Sequence, residues 1–281
     1  SGITAPDPST YGQALEIATR YGILESLPAA VRGLVEAGAV GAAGGGDGAD
    51  VGAPPQTAPP ETPGPGDAAF ERVHNVVIGS NTQALLAAAE AAREAGYTTV
   101  VLTSRLVGEA REVAKVFPAI ARDVREKGML AAPPVCVLAG GETTVTLRDA
   151  DGRGGASRGG TGLGGRNQEL LLSALRETVV SSPGTRPDGG GSGAGGNPVR
   201  TAASDIIFAS VATDGNDGPT DAAGAYFDAG IVERAGRDSA ALESALARND
   251  AYPYLDGLGA LIRTGPTNTN VCDIQVLLVD S

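Results

Sequence analysis

The chain has 281 residues, enough for one large or two modest domains, and 42% of them are apolar, so a core of real size can be buried. Its net charge of −12 argues against a nucleic-acid surface or an anionic membrane as partner, and no long apolar run marks a membrane span. Two cysteines and one histidine exclude a disulfide framework and a His-rich metal centre. Cys136 and Cys272 lie in apolar runs and read as the reduced thiols of a cytoplasmic protein.

Asp7, Pro8 and Ser9 introduce a helix over 9–21 that Gly22 closes, and a second helix is expected over 28–37. Residues 38–66 are a Gly/Ala/Pro tract without periodicity, which reads as a disordered insert. Order resumes with a strand over 73–79, a helix capped by Ser80 or Asn81 and ended by Gly96, and a strand over 98–103. Pro118 falls inside the helical pattern of 107–127 and predicts a kink or break there. Strands over 134–139 and 142–148 flank Gly140 and Gly141.

A Gly-rich stretch over 149–165 then leads into a helix starting near Arg166. A second flexible insert, 181–200, precedes an apolar, β-branched strand over 205–213 that stops at Asp214. Helices over 228–236, 238–247 and 251–261 lead to a last strand over 273–279. Strands alternating with helices predict an α/β fold, its sheet largely parallel and flanked by helices.

Four polar loops border these strands. The run DIIFASVATDGNDGPTDAAG stops at Asp214, Asp217 and Asp221, which places three carboxylates at the carboxyl end of a buried strand. Ligands bind at such ends in open α/β sheets, and a divalent cation carrying phosphate would relieve the repulsion among the acids. An ordinary Asp/Gly turn remains the alternative. Gly164 and Gly165 open a helix whose first turn carries Arg166, Asn167, Gln168 and Glu169. Free N–H groups at a helix start favour an anion, and an arginine there grips a carboxylate or phosphate with two bonds. The loops 140–144 and 265–270 add hydroxyls and amides beside glycines.

Several motifs fail. Gly160-x-Gly162-x-x-Gly165 sits in a biased tract far from its strand and is discounted as a dinucleotide fingerprint. No phosphate-binding G-x-x-x-x-G-K-[ST] loop is present, and Ala225 stands where an EF-hand needs Glu. His74 reads as structural rather than catalytic.

Read in order, these segments resemble the type-2 glycerate kinases, whose C-terminal domain is called MOFRL. The resemblance rests on LAGGETTVTLR (138–148), GGRNQELLLSAL (164–175), ATDGNDGPTDAAGA (212–225), ARNDAYPYLDGLG (247–259) and LIRTGPTNTNVCDIQVLLV (261–279). Residues 1–23 and 73–97 are similar to the latter part of the family's N-terminal domain. The resemblance implies two α/β domains, 1–130 incomplete and 131–281 a full MOFRL-type domain, with a cleft between them. It implies phosphorylation of D-glycerate to 2-phosphoglycerate with ATP and Mg2+. The alternatives are a hydroxypyruvate reductase or a non-catalytic metabolite-binding remnant.

At matching positions, Arg166, Asp214 and Asp217 would be catalytic, and Asp214, Asp217 and Asp221 would hold the metal. Gly141, Glu142, Thr143, Asn167, Thr267, Asn268 and Asn270 would line the substrate and nucleotide site. Two departures stand out. Ser1-Gly2-Ile3-Thr4 replaces the family's SGPT, and its upstream lysine and SGGG-type loop have no counterpart in this sequence. The chain is therefore expected to correspond to the C-terminal part of a larger kinase, with the activity of this part left open.

Overall fold

The computed structural model describes residues 4–43, 60–147, 162–181 and 205–281. It divides into two compact units, Ser1–Ile78 and Gly79–Ser281. The second insert and most of the first lie outside the described residues, as does the Gly-rich stretch up to 161.

In the first unit, α1 (Tyr11–Arg20) starts at a capping box. The Thr10 hydroxyl accepts from the Gln13 backbone, while the Gln13 side chain accepts from the Thr10 N–H. Helix α2 (Ala29–Ala43) runs six residues past its expected end, into the tract that composition alone marks as disordered. Alanines at 39, 42 and 43 favour helix over coil there. Gly38 lies directly against the Tyr11 ring, where a larger residue would collide. The strand expected over 73–79 does not form. Val76, Val77 and Ile78 form no regular element and are 77%, 79% and 93% exposed, with no neighbouring strand among the described residues.

The second unit is built on a six-stranded sheet. Its strands are β1 (Thr98–Leu106), β2 (Val135–Gly141), β3 (Ile206–Ala212), β4 (Gly224–Phe227), β5 (Leu261–Ile262) and β6 (Asp273–Val279). Their order across the sheet is β1-β2-β6-β3-β4-β5. The α/β class holds, but the parallel expectation does not. Only β1 and β2 pair in parallel; β6 inserts antiparallel between β2 and β3, and β4 folds back on β3 as a hairpin. Strand–helix alternation predicts crossovers, yet it cannot reveal that the last strand slots between two earlier ones in the opposite direction. The expected strand over 142–148 is reduced to one bridge, Glu109 to Thr144.

Helix α3 (Asn81–Glu94), capped by Ser80, covers one face by packing Leu85 and Ala89 on Cys136 and Leu138. The other face carries α4 (Ala110–Val113), α5 (Val116–Lys127), α6 (Arg166–Val180), α7 (Ala229–Gly236), α8 (Ser239–Ala247) and α9 (Ala251–Gly257). There Phe117, Phe208 and Phe227 stack in series, with centroids 4.6 and 5.8 Å apart, against the leucines of α6. The break expected at Pro118 falls just upstream, between α4 and α5, because proline has no N–H to continue a helix through Ala114. Residues 79–130, expected in the first domain, thus supply a strand and three helices to the second unit.

The register fixes the place of the site. Asp273, first residue of β6, pairs with Gly141 at the carboxyl end of β2 and with Ala212 at that of β3. Three strand ends therefore meet at one edge of the sheet.

Candidate active site

Arg166 begins α6 beside that edge. Its Nε–H donates to Asp273 Oδ2 at 2.6 Å and Nη2 donates to Oδ1 at 2.9 Å, a bidentate grip. Glu142 approaches the same Nη2 at 3.4 Å from the rim. Asp273 is 1% exposed whereas the arginine side chain is 27% exposed. The hydrogen bonds from Arg166 to Asp273 hold the guanidinium still more firmly protonated. Its Nη1 has no acceptor among the described residues, so one edge of the fork is held and the other is open.

The anion expected at the start of α6 is present, but it belongs to the protein. Asp217 Oδ1 accepts from the Asn167 N–H at 3.0 Å and from its amide Nδ2 at 3.2 Å. Asp217 Oδ2 accepts from the Gln168 N–H at 2.9 Å. The carboxylate caps a helix fifty residues upstream and is fully buried. Burial pushes its pKa up, against the three N–H bonds that favour the ionised form. Gly165 is required here because a Cβ would run into Asp217, and Gly218, at φ +65°, lets the loop turn against the Gly164 carbonyl.

The three-carboxylate metal site is accordingly corrected. Asp217 spends both oxygens on α6. Asp221 is exposed and accepts from the Tyr252 hydroxyl at 2.7 Å and from Arg263 Nε at 3.1 Å. Asp214 is half-buried; it accepts from the Asn216 N–H and, at 3.2 Å, from Asn270 Nδ2. No group of three or more His, Cys, Asp or Glu among the described residues is placed to hold a metal ion. The donors do not fit a protein-built cage, since each acid already has its own N–H or O–H partners.

The remaining expected residues separate into two groups. Asn167 is buried and turned inward, with its Oδ1 accepting from Ser210 Oγ at 2.6 Å, so it supports the edge rather than lining a cleft. Thr267 and Asn270 knit the 264–272 loop to the 213–217 loop. The Thr267 N–H donates to the Asp214 carbonyl at 3.1 Å, and Asn270 Nδ2 donates to Asp214 Oδ2 at 3.2 Å. Asn268 is exposed at φ 59°, the left-handed corner of that loop. Gly141 passes so close to the Leu106 backbone that no side chain fits.

Arg166, Gly164, Gly165, Thr143 and Gly218 line a common cleft of about 350 Å3, with Val145 and Leu147 as an apolar wall. Asp214, Asn268 and Asn270 are not among its lining residues. Sequence reasoning missed Asp273 and Asn249. Asp273 did carry a signal, as the single acid in the apolar run 271–279. Asn249, which sits at φ 54° and donates to Glu169 Oε1 at 3.2 Å, carried none.

Residues 135–273 match the model of the MOFRL family. A glycerate 2-kinase of Pyrococcus horikoshii is 32% identical over 283 residues, covering 100% of this chain and 52% of that protein. A protein of Agrobacterium vitis, provisionally named a hydroxypyruvate reductase, is 35% identical over 288 residues, 99% of this chain and 51% of its own length. The crystal structure of a glycerate kinase from Thermotoga maritima is 29% identical with a TM-score of 0.63, covering 98% of this chain and 51% of that one. The chain spans about half the length of the relatives it matches.

Proposed function

We propose that this chain, which belongs to the MOFRL family through residues 135–273, provides the C-terminal part of a kinase that phosphorylates D-glycerate to 2-phosphoglycerate with ATP. The observation that carries this reading is the half-open Arg166, held on one edge by buried Asp273 and free on the other at the mouth of a cleft. Phosphoryl transfer passes through a loose transition state, so positioning and charge neutralisation supply most of the catalysis. A pre-oriented guanidinium does both without reorganising.

In this reading Arg166 binds the carboxylate of glycerate or a transferring phosphoryl group. Asp214, at the end of β3 with Asn270 beside it, orients the attacking hydroxyl. Mg2+ enters with the nucleotide as its magnesium complex, because the described residues offer no cage for a resident ion. Asp217 moves from the catalytic group to the support of α6. The two cysteines are free, and Cys136 is buried, which supports a reducing, cytoplasmic setting. Among the described residues no helix is long and apolar enough to cross a membrane.

The test is calorimetric titration with D-glycerate and with Mg·ATP, alongside a coupled assay for ADP release. Saturable binding of both and glycerate-dependent ADP release are expected. Asp214→Asn should lower that release by about a hundredfold or more with an unchanged circular dichroism spectrum. Binding of neither ligand, or oxidation of NADH by hydroxypyruvate in the presence of the chain, overturns the reading.

A further inference from the structure

Asn81, the first residue of α3, does not line the cleft, yet its side chain reaches the entry to β6. Ser80 already caps α3 by accepting from the Gln83 N–H, so the helix start does not need the Asn81 amide. That amide instead spends both of its N–H bonds elsewhere: Nδ2 donates to the Val271 carbonyl at 2.8 Å and to the Asp273 carbonyl at 2.9 Å. The two carbonyls straddle Cys272, which sits at φ 66°. A residue with a Cβ seldom takes this left-handed conformation, and it persists only where its surroundings hold it. We propose that Asn81 is a positioning residue for Arg166. It clamps the left-handed turn at Cys272, and that turn sets the Asp273 carboxylate against the guanidinium. This rests on the kinase reading for the use made of Arg166 but not for the clamp itself.

Three observations support the clamp. The turn is over-determined, as a strained residue requires. Thr213 Oγ1 accepts from the Val271 N–H at 2.8 Å and donates to the Cys272 carbonyl at 2.7 Å, while Asn270 Oδ1 accepts from the Cys272 N–H at 3.1 Å. Asn81 then ties Val271 to Asp273 across the turn, from the opposite face of the sheet to Arg166. Room for it is made by Gly140, which pairs with Ile274 in the ladder: a Cβ there would run into the Asn81 amide. Finally, Asn81 Oδ1 is buried and has no partner among the described residues, so the amide is oriented by its two donors alone.

The test reads the Arg166 Nε–H by heteronuclear NMR. That proton lies in the bond to Asp273, which is 1% exposed, so it should exchange slowly with water. Its signal is identified by its loss in Arg166→Lys. Asn81→Ala should speed the exchange about tenfold or more, the effect of losing a hydrogen bond of ordinary strength. Adding Cys272→Gly should bring the exchange back to within about threefold of the parent, because glycine takes positive φ without a clamp. Leu85→Ala removes only packing from α3; it should lower the melting temperature and leave the exchange unchanged. Unchanged exchange in Asn81→Ala overturns the proposal. Equal acceleration in Leu85→Ala also overturns it, since Asn81 would then be an ordinary support of its helix, and so does failure of Cys272→Gly to restore the slow exchange. Should Asn81→Ala not fold, recovery of the fold by Cys272→Gly supports the clamp and its absence overturns it. Titration of the parent with D-glycerate separates the two readings. If the exchange pattern holds and D-glycerate does not bind, the clamp stands and the glycerate reading falls.

Discussion

Two arginine–carboxylate pairs flank the first turn of α6, and they are built for opposite ends. Arg111 and Glu169 are 11% and 2% exposed, and the Arg111 guanidinium also donates to the Leu246 carbonyl at 2.9 Å. Asn249 adds a bond to the same carboxylate, so this pair is buried among α4, α6 and the end of α8. Arg166 grips Asp273 with two bonds, but the arginine keeps an open edge at the cleft. Glu169 and Arg166, three apart on one helix, thus sit in a buried pair and a half-open one. What separates them is whether the guanidinium is fully enclosed.

The comparison breaks most visibly at the enclosed pair. Arg111→Ala strands a buried carboxylate and should cost about 3–5 kcal/mol of stability in urea unfolding. A loss below about 1 kcal/mol would mean that Glu169 finds other support. Asp217→Asn sets an amide NH2 against at least one N–H donor, that of Gln168, and should cost about 1–3 kcal/mol by the same measurement. At the open pair the effect moves from stability to recognition. Arg166→Lys keeps the charge but loses the fork, so D-glycerate affinity should fall about tenfold in calorimetry.

The smallest effect is expected at the exposed cluster of Arg263 with Asp221 and Asp256. The Tyr252 hydroxyl and then Arg263 hold the Asp221 carboxyl below its ordinary range. A carboxylate with a lowered folded-state pKa adds stability above its unfolded value, about 3.9, and loses it as pH falls through the lowered one. That contribution is present at neutral pH, but because the cluster is exposed it is small, and Arg263→Ala should leave thermal melting there unresolved from the parent. A clear drop there would show that this surface network matters more than its exposure implies.

Much of this was legible in the chain. β6 was readable to the residue because its Ile274, Val276 and Leu278 alternate with residues facing α6 in a largely apolar run. The start of α6 was readable from Gly165 and the polar first turn. The four residues of β4 were not, because GAYF is too short to show a period and follows a turn of glycines and acids. The anion preference of α6 was correctly anticipated, but not its occupant. A carboxylate that binds a ligand and one that caps a helix fifty residues away look alike in one dimension, since only tertiary packing decides which N–H groups it meets. Composition likewise marked residues 38–43 as coil, yet alanine propensity carried α2 through them.

The pairing of Asp273 with both Gly141 and Ala212 has one more consequence. Side chains on a strand alternate faces, so sliding β6 by a single position would swing that carboxylate to the α3 side and leave the guanidinium facing a cysteine or an isoleucine. A single residue gained or lost within β6 would disarm the cleft while leaving an intact-looking sheet.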